Sequence, residues 1–261
     1  MSDDLPTATV PERPFTLAID VGGTGIKAAL LDAAGKMVAD RVRVETHYPL
    51  TPELFVSTLT TLTQPLPKAD RASVGFPGVV RHGHIITAPH FITKAGPDTK
   101  VLKELVDAWS GFDAEETLEK ALGMPTKVAN DADLQGLAVI KSNGIELVVT
   151  FGTGVGTALF RDGELAPHLE IAHHPLAKDE NYNQRLGDAA LERIGVKRWR
   201  TRVLSALETL ENLVNFDHCY VGGGNARHLA GRLSTQYEVV DNVAGILGGI
   251  RLWEGSAVPG E

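Results

Sequence analysis

Two stretches of this chain repeat one design, and together they restrict the fold more than any other feature. Residues 17–27 read Leu-Ala-Ile-Asp-Val-Gly-Gly-Thr-Gly-Ile-Lys, and residues 150–157 read Thr-Phe-Gly-Thr-Gly-Val-Gly-Thr. Each sets a glycine-threonine turn between apolar runs: Phe15 to Val21 and Ala28 to Leu31 around the first, Leu147 to Val149 and Ala158 to Phe160 around the second. That pattern predicts two hairpins with tight tips. Without a Cβ the tip backbone is free to turn its N–H groups onto an anion, while Thr24 adds a hydroxyl and Lys27 a positive charge. The candidate phosphate-binding residues are Asp20, Gly22, Gly23, Thr24, Gly25 and Lys27 in the first hairpin, and Thr150, Gly152, Thr153 and Gly154 in the second. Asp20, at the end of its strand, is placed to hold a phosphate-bridging metal, in this reading through water. An ordinary glycine-rich β-turn is the plain alternative. Neither stretch is a Walker loop or a dinucleotide fingerprint, because a strand rather than a helix follows the glycines. A third cluster, Gly222-Gly223-Gly224-Asn225, follows the apolar His218 to Val221 and precedes a helical pattern, where a nucleoside or further phosphates can approach the backbone.

Two phosphate-type hairpins in one chain suggest duplicated half-domains. The ordered motifs together resemble the actin-like ATPase/hexokinase superfamily, and within it the ROK (repressor/ORF/kinase) group of bacterial sugar kinases. The similarity is greatest to the polyphosphate glucokinases and polyphosphate/ATP-glucomannokinases, and it runs from Phe15 to Leu252. It implies an α/β, two-lobed, ribonuclease H-like fold, with mixed sheets flanked by helices and an active-site cleft between the lobes. The expected division is a flexible tail at 1–14, a small lobe of 15–129 plus 241–261, and a large lobe of 130–240. The hinges fall at Ala129-Asn130 and Val240-Asp241.

The 261 residues suit one large domain or two lobes. Hydrophobic content of 43% with 22% charge is that of a soluble globular chain, and no apolar run nears the roughly 18 residues a membrane span needs. The first dozen residues lack a basic and an apolar region, so they read as a tail rather than a signal peptide, and a cytoplasmic location is expected. The single cysteine, Cys219, has apolar neighbours and reads as a buried, inert thiol. A net charge of −8 argues against nucleic acid as a partner. Polyphosphate, also a polyanion, would need cations gathered locally, and Arg193, Lys197, Arg198, Arg200 and Arg202 form one dense group; the alternative is a solvated helix face.

In chain order, Met37 to Thr46 alternates as a third strand, and Thr51-Pro52 opens a helix carrying Leu54, Phe55, Leu59 and Leu62. Arg71 to Phe76 is a strand, Pro77-Gly78 a turn, and Val79 to Ile86 an extended return. Lys100 to Trp109 can be drawn as a helix. Asp113 and Glu116 form a capping box for a helix that stops at Gly123. A strand from Thr126 to Ala129 then delivers Asn130-Asp131-Ala132-Asp133 to a helix spanning Leu134 to Lys141. Arg185 to Leu213 reads as helix with Leu204, Leu207, Leu210 and Leu213 on its core stripe, followed by strand 218–221, helix 225–233, strand 237–240 and a terminal helix 243–253.

Plain helix capping needs only one residue of Asn130 to Asp133. A carboxylate at a helix N-terminus is also stabilised as the anion, so Asp131 is ready to accept a proton from a sugar hydroxyl, with Asp133 as the rival. The resemblance agrees: it implies Asn130 as a sugar ligand, Asp131 as catalytic base, and backbone near Gly78 facing the hexose. Glu170 and His173, three apart, can bond adjacent ring hydroxyls, and they resemble the family's Glu-x-Gly-His signature with Ala172 where glycine is usual. Metal binding is the second reading of this stretch, through Glu170, His168, His173 and His174. Family members with zinc here use a cysteine cluster, and Pro175 to Gly187 contains none, so zinc is not expected and His168 and His174 read as ordinary polar residues.

The implied reaction is phosphoryl transfer to the 6-hydroxyl of glucose, or of an epimer such as mannose, from inorganic polyphosphate and/or ATP with Mg²⁺. An ATP-only hexokinase is the nearer alternative. A ROK repressor would need a helix-turn-helix ahead of the first strand, where only about 14 residues stand. A sugar-binding protein without catalysis is the other rival. A homodimer is left open by the sequence.

Overall fold

The computed structural model describes residues 11–96, 99–240 and 244–254. One sheet contains β1 (Thr16–Val21), β2 (Gly25–Leu31), β3 (Val42–Glu45), β4 (Arg71–Phe76) and β5 (Thr126–Asn130), in the order β3-β2-β1-β4-β5. A second five-stranded sheet contains β6 (Ile145–Phe151), β7 (Val155–Arg161), β8 (Glu164–Leu165), β9 (His218–Gly222) and β10 (Tyr237–Val239), in the order β8-β7-β6-β9-β10. In both, the first three strands form an antiparallel meander and the last two add in parallel. The two halves therefore share one topology, each built on its glycine hairpin.

The described residues also form seven α-helices: α1 (Pro52–Thr63), α2 (Lys103–Trp109), α3 (Ala114–Leu122), α4 (Asp131–Val139), α5 (Tyr182–Leu186), α6 (Asp188–Val214) and α7 (Ala244–Arg251). Thr51 caps α1 by accepting from Leu54 N at 3.2 Å, and Pro52 occupies its first turn. Asp113 caps α3 and Gly123 ends it in the left-handed conformation (φ 68°). The box is half formed, because the Glu116 carboxylate turns to Lys120.

One core lies between the first sheet and α1 to α3, where buried Phe55, Phe76, Phe91 and Trp109 meet with ring centroids 5.3 to 5.8 Å apart. Such aromatic pairs add about 0.5–1.5 kcal/mol each beyond the area they bury. The other core sets Leu147, Val149 and Phe151 against Trp199, Val203, Leu207 and Leu210 of α6. Cys219 is fully buried in it, and burial pushes the thiol pKa up.

Several sequence expectations are corrected. The third strand spans Val42–Glu45 alone. Val79 to Ile86 is a small hairpin, turned by left-handed His82 (φ 49°) and Gly83 (φ 75°). The region 185–213 is two helices, the second kinked at Gly195 (φ 75°, ψ 157°). Its leucine stripe holds at the centre, where Leu207 and Leu210 are buried with Trp199, Val203 and Ala206, but a strict three-residue period slips around a 3.6-residue helix, so Leu204 and Leu213 at its ends are exposed. The helix expected at 225–233 is one 3₁₀ turn, Ala226–Leu229. Two residues assigned to a flexible tail are docked: Ala33 N donates to Glu12 O at 2.9 Å, and Arg13 pairs with Asp70 at 2.6 Å. Residues 1–10 of that tail and the Asp241 half of the second hinge lie outside the described residues. No helix among the described residues is long and apolar enough to cross a membrane.

The halves meet at α4 and α7. Leu134, Leu137 and Ile140 pack with Val148, Ala158, Phe160 and Tyr220 of the second sheet. On its other side α4 is crossed by α7, so tightly that a Cβ at Gly248 would sit 1.6 Å from Leu134 O. Ser73 Oγ donates to Gly249 O at 2.6 Å, and Arg251 donates to Leu137 O and Ile140 O. Gly248→Ala should therefore force the helices apart and lower the unfolding free energy by about 2 kcal/mol, the scale of an overpacked contact, measured by urea denaturation.

Candidate active site

The first hairpin tip closes with Gly22 N donating to Gly25 O at 3.0 Å. Thr46 Oγ1 and Tyr48 OH, just past β3, each donate at 2.7 Å to the Gly22 and Gly23 carbonyls. With its carbonyls held from behind, the tip leaves the N–H groups of Gly23 and Thr24 without a protein acceptor among the described residues. The second tip closes likewise, Gly152 N donating to Gly154 O at 3.0 Å. Asp188 N donates to Gly152 O, and Val155 N donates to Asn183 Oδ1 at 2.7 Å. The N–H groups of Thr153 and Gly154 are left in the same state. Both tips, with Thr150, line one cleft of about 300 Å³.

Asp131 stands at the floor of this cleft as the first residue of α4. It is placed by Asn130, whose Oδ1 accepts from Ala132 N at 2.8 Å and Asp133 N at 3.3 Å. Asn130 Nδ2 donates to Gly78 O at 3.0 Å and more weakly to Phe76 O at 3.5 Å. One amide thus caps α4 and braces the Pro77-Gly78 turn, and Asn130 lines the cleft beside Asp131. Gly78 must be glycine, since a Cβ there would lie 2.1 Å from Thr87 O. Burial, and next the charge of Asp20, push the Asp131 pKa up to about 7.

Glu170 and His173 line the opposite wall on a turn closed by His174 N donating to Ile171 O at 2.9 Å. The Glu170 carboxylate accepts from Ala172 N at 3.0 Å. Behind it lies a residue the sequence reading set aside. His168 is 7% exposed, its Nδ1–H donating to buried Asp133 Oδ1 at 3.2 Å and its Nε2 3.6 Å from Glu170 Oε2. Burial opposes a charge here, but the two carboxylates prevail and push the His168 pKa up to about 10. Asp133 is thereby engaged away from the cleft, which leaves Asp131 as the carboxylate of that motif open to a ligand. The one sequence signal for His168 is its place two residues before Glu170. Gln135, one helical turn past Asp131, also enters the cleft and was not singled out.

Asp20 and Lys27, 3.4 Å apart, line a smaller cavity of about 120 Å³ that adjoins the cleft through Asp131 and Gln135. Gly25 is in the β2 strand behind the tip. In the third glycine cluster, Gly223 and Gly224 reach the cleft, and Gly223 (φ 86°) has no room for a Cβ, which would meet Phe151 O at 2.3 Å. Gly222 ends β9 outside the cleft lining, and buried Asn225 is turned inward, its Nδ2 donating to Asp188 Oδ1 at 2.6 Å. That bond braces the third glycine cluster against the start of α6.

The profile of the ROK family matches residues 16–178 of this chain. The polyphosphate glucokinase of Mycobacterium tuberculosis is 30% identical to it, over 95% of this chain and 93% of that protein. The chain belongs to the ROK family. Among solved structures, the inorganic polyphosphate/ATP-glucomannokinase of Arthrobacter sp. strain KM matches this ROK protein with a TM-score of 0.74 and 29% identity, covering 92% of this chain and 98% of that one. A ROK family glucokinase from Streptomyces griseus, solved with glucose and AMPPNP, matches with a TM-score of 0.71 at 16% identity over 92% and 100%, and shows the shared fold.

Removing the imidazole by His168→Ala strands Asp133 in the interior, at a cost of about 3 kcal/mol for a broken buried pair. A raised histidine pKa contributes stability fully below about pH 6.5, and loses it as pH climbs toward about 10. Denaturant titrations from pH 6 to 10 should show this decline in the wild type and a flatter profile in the variant.

Proposed function

We propose that this ROK protein is a sugar kinase that transfers a phosphoryl group to the 6-hydroxyl of glucose, or of a close epimer such as mannose, from inorganic polyphosphate or ATP. The observation that carries the reading is the position of Asp131. It lies where the two glycine tips, the Gly78 turn and the Glu170-His173 turn converge on one cleft. The activities named for the mycobacterial and Arthrobacter proteins are those this arrangement suits.

In this reading Asp131 accepts the hydroxyl proton as the oxygen attacks, and a pKa near working pH is what a general base needs. Glu170 and His173 hold the ring against the Gly78 turn, fixing which hydroxyl meets the donor. The unpaired N–H groups of Gly23, Thr24, Thr153 and Gly154 face charge that builds on the transferred group. Gly223 and Gly224 leave room for a nucleoside beside the second tip. Closure of the two halves about α4 would exclude water, which is itself an acceptor.

The residues present fit Mg²⁺. The Asp20 side chain is 47% exposed beside Asp131 and its charge is only partly met by Lys27 at 3.4 Å. One or two carboxylates, with phosphate oxygens and water, are the usual holders of this ion. When bound it would neutralise charge shared between donor phosphates.

The test is formation of hexose 6-phosphate from glucose with Mg²⁺, run with ATP and in parallel with nucleotide-free polyphosphate. Product from both supports the full reading, product from ATP alone restricts it to a nucleotide-dependent hexokinase, and product from neither leaves a sugar-binding protein. Asp131→Asn should reduce kcat by about a thousandfold while leaving glucose binding in place. A base with its pKa raised to about 7 must lose its proton to work, so kcat/KM should rise with pH through that region, well above the usual carboxylate range.

A further inference from the structure

Beyond the cleft, the face of the first sheet that carries Asp20 also carries a row of cations leading away from Asp131. In the β1–β2 register Asp20 stands opposite Lys27, and in the β2–β3 register Lys27 stands opposite Arg43. Directly opposed residues share a face, so Asp20, Lys27 and Arg43 form one line across three strands. Two strand spacings make that line about 10 Å long. Its inner end abuts Asp131, whose Cα is 3.6 Å from where a Cβ on Gly75 would lie, and Gly75 stands opposite Asp20 on β4. Its outer end is β3, the edge of the sheet.

The cations on this edge are not spent on the protein. Arg41 and Arg43 are exposed and make no ion pair or side-chain hydrogen bond among the described residues. Glu45, the acidic side chain on the same face of β3, forms no ion pair with either. The Arg43 guanidinium lies over Gly25, the first residue of β2 behind the glycine tip, 3.1 Å from the point a Cβ there would occupy. Lys27 directly opposite Arg43 is a like-charge cross-strand pair, which costs stability unless an anion lies between. Arg41 also lines the 120 Å³ side cavity, whose walls of Ala18, Ala29 and Gly75 leave it open. On α6, Arg193 and Arg202 close with Arg185 onto the single carboxylate of Glu180, at 2.8 to 3.8 Å, while Lys197, Arg198 and Arg200 form no ion pair among the described residues and stand away from the cleft lining.

We infer that Lys27, Arg43 and Arg41 form a track for the phosphates of a linear inorganic polyphosphate beyond the group being transferred, running from the side cavity to the β3 edge. This rests on the polyphosphate reading above and names how the polymer is held. A nucleotide's base would leave the transfer point the other way, toward Gly223 and Gly224, so the two donors separate on mutation.

Steady-state kinetics with saturating glucose should compare wild type with Arg41→Glu/Arg43→Glu, using long-chain polyphosphate and ATP. The KM for polyphosphate should rise about tenfold or more, as expected when charge-assisted contacts are lost, while the KM for ATP is unchanged and reports an intact fold. Equilibrium binding of the same polyphosphate without glucose should weaken, its dependence on log salt concentration falling in slope by about two. An unchanged polyphosphate KM in a variant of a polyphosphate-active wild type overturns the track alone. Equal loss with ATP also overturns it, showing a general donor site. Failure of the wild type to use polyphosphate, with ATP activity present, overturns the donor reading and the track with it.

Discussion

The close crossing of α4 and α7 is the constraint on which the rest of this molecule depends. Each half has its own sheet and its own core, and α4 packs against both. Its position is set from one side by Gly136, where a Cβ would collide with the Phe160 ring at 2.4 Å, and from the other by Gly248 against its own backbone. Two glycines thus fix the depth at which the helix sits. Because Asp131 is the first residue of that helix, fixing the depth also fixes the carboxylate between the two glycine tips. Interiors are packed like crystals, so a displacement of α4 would be felt at both tips together.

Charge around Asp131 is distributed so that one carboxylate stays adjustable. Asp133 and Glu170 are held by the His168 imidazolium, and Asp20 is partly matched by Lys27. Among the described residues Asp131 accepts a hydrogen bond from Ala132 N alone, at 2.9 Å. Its burial and the Asp20 charge raise its affinity for a proton, and no cation among the described residues lies within ion-pair distance to offset them. Helix N-terminus and buried floor pull in opposite directions, and here burial wins. The outcome is a group that exchanges a proton near neutrality rather than one fixed as an anion.

Much of this was legible in the chain because it is written in local chemistry. Strand β4 and the Gly123 stop matched expectation, since apolar runs and left-handed glycines are decided by neighbours in sequence. The two hairpins and the Asn-Asp turn were legible for the same reason. What sequence could not show depends on long-range pairing. His168 looked like any loop histidine until α4 brought Asp133, 35 residues away, against its ring. Nothing local to Asn225 showed that α6 delivers Asp188 to its amide. Arg193 and Arg202 of α6 looked like part of a free basic face until the small hairpin at 175–181 placed Glu180 between them.

The shared topology of the halves makes their differences informative. Each glycine tip must be held from behind, and the two halves do this with different parts. In the second, the supports are Asn183 and Asp188, from the segment that also bears on the Glu170 turn, since Asn183 N donates to Ala172 O at 3.0 Å. Sugar wall and second tip are therefore one mechanical unit. In the first half the supports are Thr46 and Tyr48, which follow β3 directly. Tip and edge strand are joined there instead, and the edge strand is four residues long, with Arg43 on it and Arg41 just before it, neither in an ion pair among the described residues, whereas its counterpart β8 is only Glu164–Leu165. A duplicated scaffold has thus diverged at equivalent edges: one stays minimal, and the other extends the anion-binding character of its tip outward. A net charge of −8 is no obstacle to that, because a polyanion responds to the field along its own path rather than to the sum over the chain.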